Sequence, residues 1–107
     1  MSGLNIDKAF ALDQVDGDAD LLQELFTILQ QSCATDLALM KKGMVDGCPD
    51  QVQAAAHSIK GASASLGILG LRDMALSIEF DAKQCHLEWV ERRIPQLEKM
   101  LEELEKF

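Results

Sequence analysis

A chain of 107 residues with 48% hydrophobic content and two prolines can bury one core and is too apolar for a disordered segment, so one domain over 1–107 is expected. A net charge of −8 sets the surface against phosphate backbones, which excludes nucleic acid as the expected partner. The apolar runs are too short to cross a bilayer and no charged, apolar leader opens the chain, so a cytoplasmic protein without membrane contact is expected.

Aromatic residues make up only 5%, so the core must come from Leu, Ile, Val, Met and Ala, which favours helices. Asn5 to about Leu12 reads as a short amphipathic segment with Ile6, Phe10 and Ala9 as its inward candidates. VDGDAD (15–20) is a turn whose aspartates can cap the next helix. Leu22, Leu25, Phe26, Leu29, Cys33, Leu37, Met40 and Met44 then recur at helical spacing and predict a long helix over roughly 19–45. DGCPD (46–50) closes it, with Gly47 suited to a left-handed end and Pro49 to the next first turn.

A further helix is expected over about 50–66, with Gly67 and Gly70 bracketing a short turn. Leu71, Met74, Ala75, Ile78, Ala82 and Cys85 predict the next helix, over about 71–85. The last starts near His86–Glu88 and runs on Val90, Ile94, Leu97, Leu101 and Leu104. Pro95 removes a backbone hydrogen bond to Glu91, which predicts a kink or a later helix start. Cys33, Cys48 and Cys85 are odd in number and lack CxxC spacing, so they read as reduced core thiols. Short connections make successive helices antiparallel. The expected fold is all-α, an up-and-down antiparallel four-helix bundle with a short extra N-terminal helix.

One histidine stands out in the stretch AAAHSIKGASASLG (54–67). On a wheel at about 100° per residue, Val52, Ala55, Ala56, Ile59, Ala62, Ser63 and Leu66 share one buried stripe. His57 falls almost opposite, beside Gln53, Ala54, Lys60, Gly61 and Ala64. A glycine inside a helix costs roughly 1 kcal/mol relative to alanine. At i+4 from His57, Gly61 uncovers one side of the imidazole, so something bulky has to approach the ring. Lys60 lies one turn along, on the solvent side, where its ammonium can reach an anion carried on that ring. If the two helices fold back about a turn centred near residue 68, the residue level with His57 is Glu79. A carboxylate there can accept from Nδ1–H and leave the Nε2 lone pair free.

HSIKGASASLG (57–67) closely resembles the signature of histidine-containing phosphotransfer (HPt) domains, through His57, Ile59, Lys60, Gly61, Ala62, Ser63, Leu66 and Gly67. The likeness extends over essentially the whole chain. It implies a relay in which Nε2 of His57 accepts a phosphoryl group from the aspartyl phosphate of one receiver domain and passes it to another. The receivers would belong to response regulators or to a hybrid sensor histidine kinase. Lys60 would balance phosphate charge and Glu79 would orient the ring. Similar domains often carry glutamine at the latter position; glutamate still accepts the hydrogen bond but adds a negative charge. Docking would use the shallow face of Gln53, Ala54, Gly61, Ala64 and Ser65. The resemblance implies a carrier rather than an enzyme, without a cofactor of its own, Mg²⁺ coming with the receiver; a monomer is expected. No GxxxxGK[ST] loop is present to hold a nucleotide.

Other readings carry less. His86 lacks the HxxKG context and is expected at the surface or as a cap. The two histidines sit on different helices without a ligand set for metal. Ser58 points about 100° away from His57, which disfavours a Ser/His hydrolase. A kinase dimerisation domain would have an acidic residue directly after the histidine, where this chain has Ser58. The alternative class is a non-catalytic interaction module, built on the acidic run EKMLEELEKF or on Leu76 and Phe80, which face away from the core stripe. Met1 and the short leader favour a free-standing protein over an excised domain.

Overall fold

The computed structural model describes residues 3–107. Its helices are α1 (Lys8–Asp13), α2 (Ala19–Val45), α3 (Pro49–Ser65), α4 (Leu69–Lys83) and α5 (Leu87–Glu105). Among the described residues the only β pairing is an isolated bridge between Ile6 and Ile68.

Local chemistry explains the helix ends. Asp7 and Asp18 each accept a backbone N–H three residues on, from Phe10 and Leu21, at 3.0 Å. Gly47 takes φ +63 after α2, and Pro49 occupies the first turn of α3. Gly67, at φ +70, reverses the chain between α3 and α4, and the next amide, Ile68 N–H, bonds back to Ser63 O at 3.0 Å.

The links between α2 and α5 are three residues each, too short for anything but neighbours running up and down. α3 packs on α2 and α4, and α5 closes the ring against both. The molecule measures 43 × 21 × 20 Å. Its long dimension comes from α2, whose 27 residues rise about 1.5 Å each. Phe26, Cys33, Met40, Val52, Ile59, Leu71, Ile78, Val90 and Leu97 fill the space between the four helices.

Three expectations need correction and one is narrowed. α4 begins at Leu69, so Gly70 lies inside it and not in the turn. The cause is remote: the carbonyls of Asn5 and Leu4 accept the Leu69 and Gly70 N–H groups at 3.2 and 2.7 Å and cap a helix without a side-chain cap. In α1, Ala9 and Phe10 are exposed, and the inward residues of this end are Leu4, Ala11 and Val15. The Phe10 ring lies across Gly67, on the outside of the α3–α4 turn.

Of the thiols only Cys33 is in the core, where burial and then Asp36 push its pKa up to about 12. Cys48 precedes α3 half-buried, and Cys85 is exposed at φ +60, because α4 ends at Lys83. Of the two outcomes expected at Pro95, the later helix start is excluded: α5 starts at Leu87 and carries the proline inside it, on its exposed side. Val90 before it and Leu97 after it are both fully buried, so packing holds both halves in one helix.

Candidate functional site

The buried stripe of α3 consists of Val52, Ala55, Ala56, Ile59 and Ser63, with the Ser63 hydroxyl bonded to Ile59 O at 2.6 Å. With that side committed to the core, His57 is turned outward and its side chain is 68% exposed. On α4 the stripe of Leu71, Ala75, Ile78 and Ala82 carries Glu79 at its edge, where the residue is 4% exposed. The three-residue link brings Glu79 level with His57, as expected.

Glu79 Oε2 lies 2.7 Å from His57 Nδ1, and Glu79 Oε1 lies 2.6 Å from Lys60 Nζ. Each carboxylate oxygen therefore has its own partner. The Lys60 hydrogen bond, helped by that of His57, holds the carboxyl below its ordinary 4.5, against the opposite pull of burial. An ionised carboxylate only accepts, so Nδ1 carries the hydrogen, and in the neutral ring Nε2 keeps its lone pair. Nε2 has no hydrogen-bond partner among the described residues. The arrangement is an oriented, unencumbered nitrogen nucleophile at the surface, with a cation one helical turn away.

Lys60 departs from its expected setting. Its side chain is 27% exposed and reaches back to a buried carboxylate instead of standing in solvent. Gly61 behaves as expected: nothing lies within 4 Å of where its Cβ would be. Ala54, Ala64 and Ser65 are exposed and Gln53 is half-buried. Ser65 turns its hydroxyl onto Ala62 O at 2.6 Å.

An open groove beside the imidazole adds Asp50 and Lys83 to Gln53, Ala54 and Glu79. Lys83 was legible in principle, since it stands one turn beyond Glu79 on the same helix. The Ser58 hydroxyl donates to Asp36 Oδ2 at 2.7 Å across to α2, a contact without a sequence signal.

The competing features fall elsewhere. His86 stacks on Trp89 with ring centres 3.9 Å apart and points Nδ1 at Glu88 Oε1 at 3.2 Å, without a side-chain cap bond. Leu97, Leu101 and Leu104 are buried within the bundle, which removes them as a seam for a second helix. Leu76 and Phe80 stay exposed.

A family model described as Hpt domain matches residues 24–107. A solved structure, described as the HPT domain from the Hpt sensor hybrid histidine kinase from Shewanella, superposes with a TM-score of 0.77. The match covers 98% of this chain and 91% of that one, at 19% identity, a likeness of fold. The comparison with curated proteins found no similar sequence.

Proposed function

The chain belongs to the Hpt domain family, the phosphotransfer modules of phosphorelays, and we propose that His57 is the residue on which it carries the phosphoryl group. The observation that supports this assignment most directly is the bare, outward Nε2 of a ring tied through Nδ1 to Glu79 at 2.7 Å. Phosphoryl transfer asks for in-line geometry and charge balance more than for covalent help, and the fold supplies a fixed nucleophile with room around it.

In this reading Nε2 attacks the phosphorus of a receiver's aspartyl phosphate, and the P–O bond to the aspartate breaks. The same nitrogen later yields the group to an aspartate of a second receiver. Mg²⁺ held by the receiver would offset charge on the phosphoryl oxygens. Lys60, one turn along α3 from His57, would turn from Glu79 toward the phosphoryl group. Gly61 and the face of Gln53, Ala54, Ala64 and Ser65 give the receiver its approach. The partners are receiver domains of response regulators or of a hybrid sensor kinase, met by a monomer.

The test is transfer from a phosphorylated receiver in the presence of Mg²⁺. The chain should gain an alkali-stable, acid-labile label on histidine, and His57→Gln should abolish it. A label that survives this substitution assigns the carrier elsewhere and overturns the reading.

A further inference from the structure

We infer that Glu79 is a positioning residue that also keeps a proton on His57 while Nε2 bears the phosphoryl group, which makes the domain a labile donor. This role presupposes His57 as the carrier. It rests on three facts: the 2.7 Å contact with Nδ1, the 6% exposure of the Glu79 side chain, and the identity of the group as a carboxylate. A glutamine amide oxygen could accept the same hydrogen bond. It would carry no charge to hold the proton there.

The protonation state of Nδ1 decides what leaves. When the phosphoryl group passes to an aspartate oxygen, the P–Nε2 bond breaks and its electron pair returns to Nε2. With Nδ1 protonated, the ring departs as neutral imidazole. With Nδ1 bare, it departs as an imidazolate anion, a far poorer leaving group. A buried carboxylate in contact with Nδ1 favours the first course.

Phosphorylation strengthens that hold. The phosphoryl group brings about two negative charges to the far side of the ring and competes for Lys60 Nζ, now 2.6 Å from Glu79 Oε1. Whatever share of the lysine Glu79 loses raises its pull on Nδ1–H. The other charged side chains lining the groove beside the ring are Asp50 of α3 and Lys83 of α4, and Asp36 of α2 is bonded to the neighbouring Ser58. The two carboxylates favour the ring proton, and Lys83 and Lys60 oppose it. All four stay in place in Glu79→Gln, so that variant isolates the one charge.

The experiment uses the full chain phosphorylated chemically with phosphoramidate, which needs no receiver. Ring nitrogen and phosphorus resonances of phospho-His57 are followed against pH by NMR, with the rate of phosphoryl loss measured alongside. In the wild type, protonation of Nδ1 and the fast rate should persist to a pH about 1–3 units higher than in Glu79→Gln. Coincident profiles would overturn the inference while leaving the carrier assignment intact. Failure of the wild type to take phosphate on His57 would overturn the carrier assignment, and the inference with it; failure of Glu79→Gln alone moves the test to the comparison in urea. Should Glu79→Gln not fold, the folded wild type is compared with the same phosphorylated chain in urea. Protonation must extend to higher pH in the folded form, and an equal or lower break point refutes the idea.

Discussion

Lys60 Nζ and Glu79 Oε1 are 2.6 Å apart, and the carboxylate between lysine and histidine is nearly sealed from solvent. The lysine therefore serves the unphosphorylated fold as well as, in the proposed relay, the phosphoryl group. Removing it leaves a buried charge with His57 as its remaining partner. Lys60→Ala should lower unfolding stability by about 1–3 kcal/mol, the cost of losing a hydrogen bond to a charged group. The urea midpoint at pH 7 measures it. A midpoint equal to that of the wild type would mean that Glu79 is satisfied without the lysine. Slower transfer should accompany the loss of stability.

The same carboxylate sets a pH dependence. Its folded-state pKa lies below the ordinary 4.5, chiefly through the Lys60 hydrogen bond and then that of His57. The folded state thus binds this proton less readily than the unfolded chain, and ionised Glu79 stabilises the fold. That contribution is fully present above the ordinary carboxyl range. It disappears as pH falls through the lower folded-state value. The stability difference between wild type and Glu79→Gln should accordingly move against the wild type between about pH 5 and more acid conditions. Denaturant titrations at a series of pH values read it, and a difference independent of pH contradicts the assignment.

The route from residues to site was short where the signal was periodic and local. The apolar spacing from Leu22 to Met44 marked α2, because one helix face had to be buried along its whole length. The facing of His57 and Glu79 came from a tight turn, which ties the heights of two antiparallel helices together. The start of α4 was hidden because its first amides are capped by Leu4 and Asn5, distant in sequence. Lys60 was misplaced for a related reason: a wheel gives the direction of Cβ, while a flexible lysine can bend back to a carboxylate on the next helix.

The cysteines give a check on the end of α4. Thiol reactivity tracks the thiolate, and the Cys33 thiol is pushed up to about 12 by burial and by Asp36. Cys85 is exposed beyond the end of its helix. A maleimide at neutral pH should modify Cys85 in the native protein and reach Cys33 only in denaturant. Mass spectrometry of the digested protein locates the adducts. Equal native rates at the two positions would contradict the burial pattern.

Two glycines inside helices should respond to alanine with opposite signs. At Gly61 nothing lies within 4 Å of a new Cβ, so Gly61→Ala relieves only the entropic cost of glycine and should stabilise by about 0.5–1 kcal/mol. At Gly70 the new atom would stand 2.8 Å from Leu4 O and nearer still to Gly3 O, both backbone atoms of the segment that caps α4. Gly70→Ala must push that segment away and should cost about 1–3 kcal/mol. Thermal or urea unfolding compares the two. Stability left unused at position 61 is what an approach path to His57 would require. Gly61→Leu separates that cause from mere tolerance: small phosphoramidate should still label His57, while transfer from a receiver domain slows by at least an order of magnitude. If both donors are slowed alike, the leucine has disturbed the nucleophile itself; if neither is, the open side of the imidazole is not where the receiver docks.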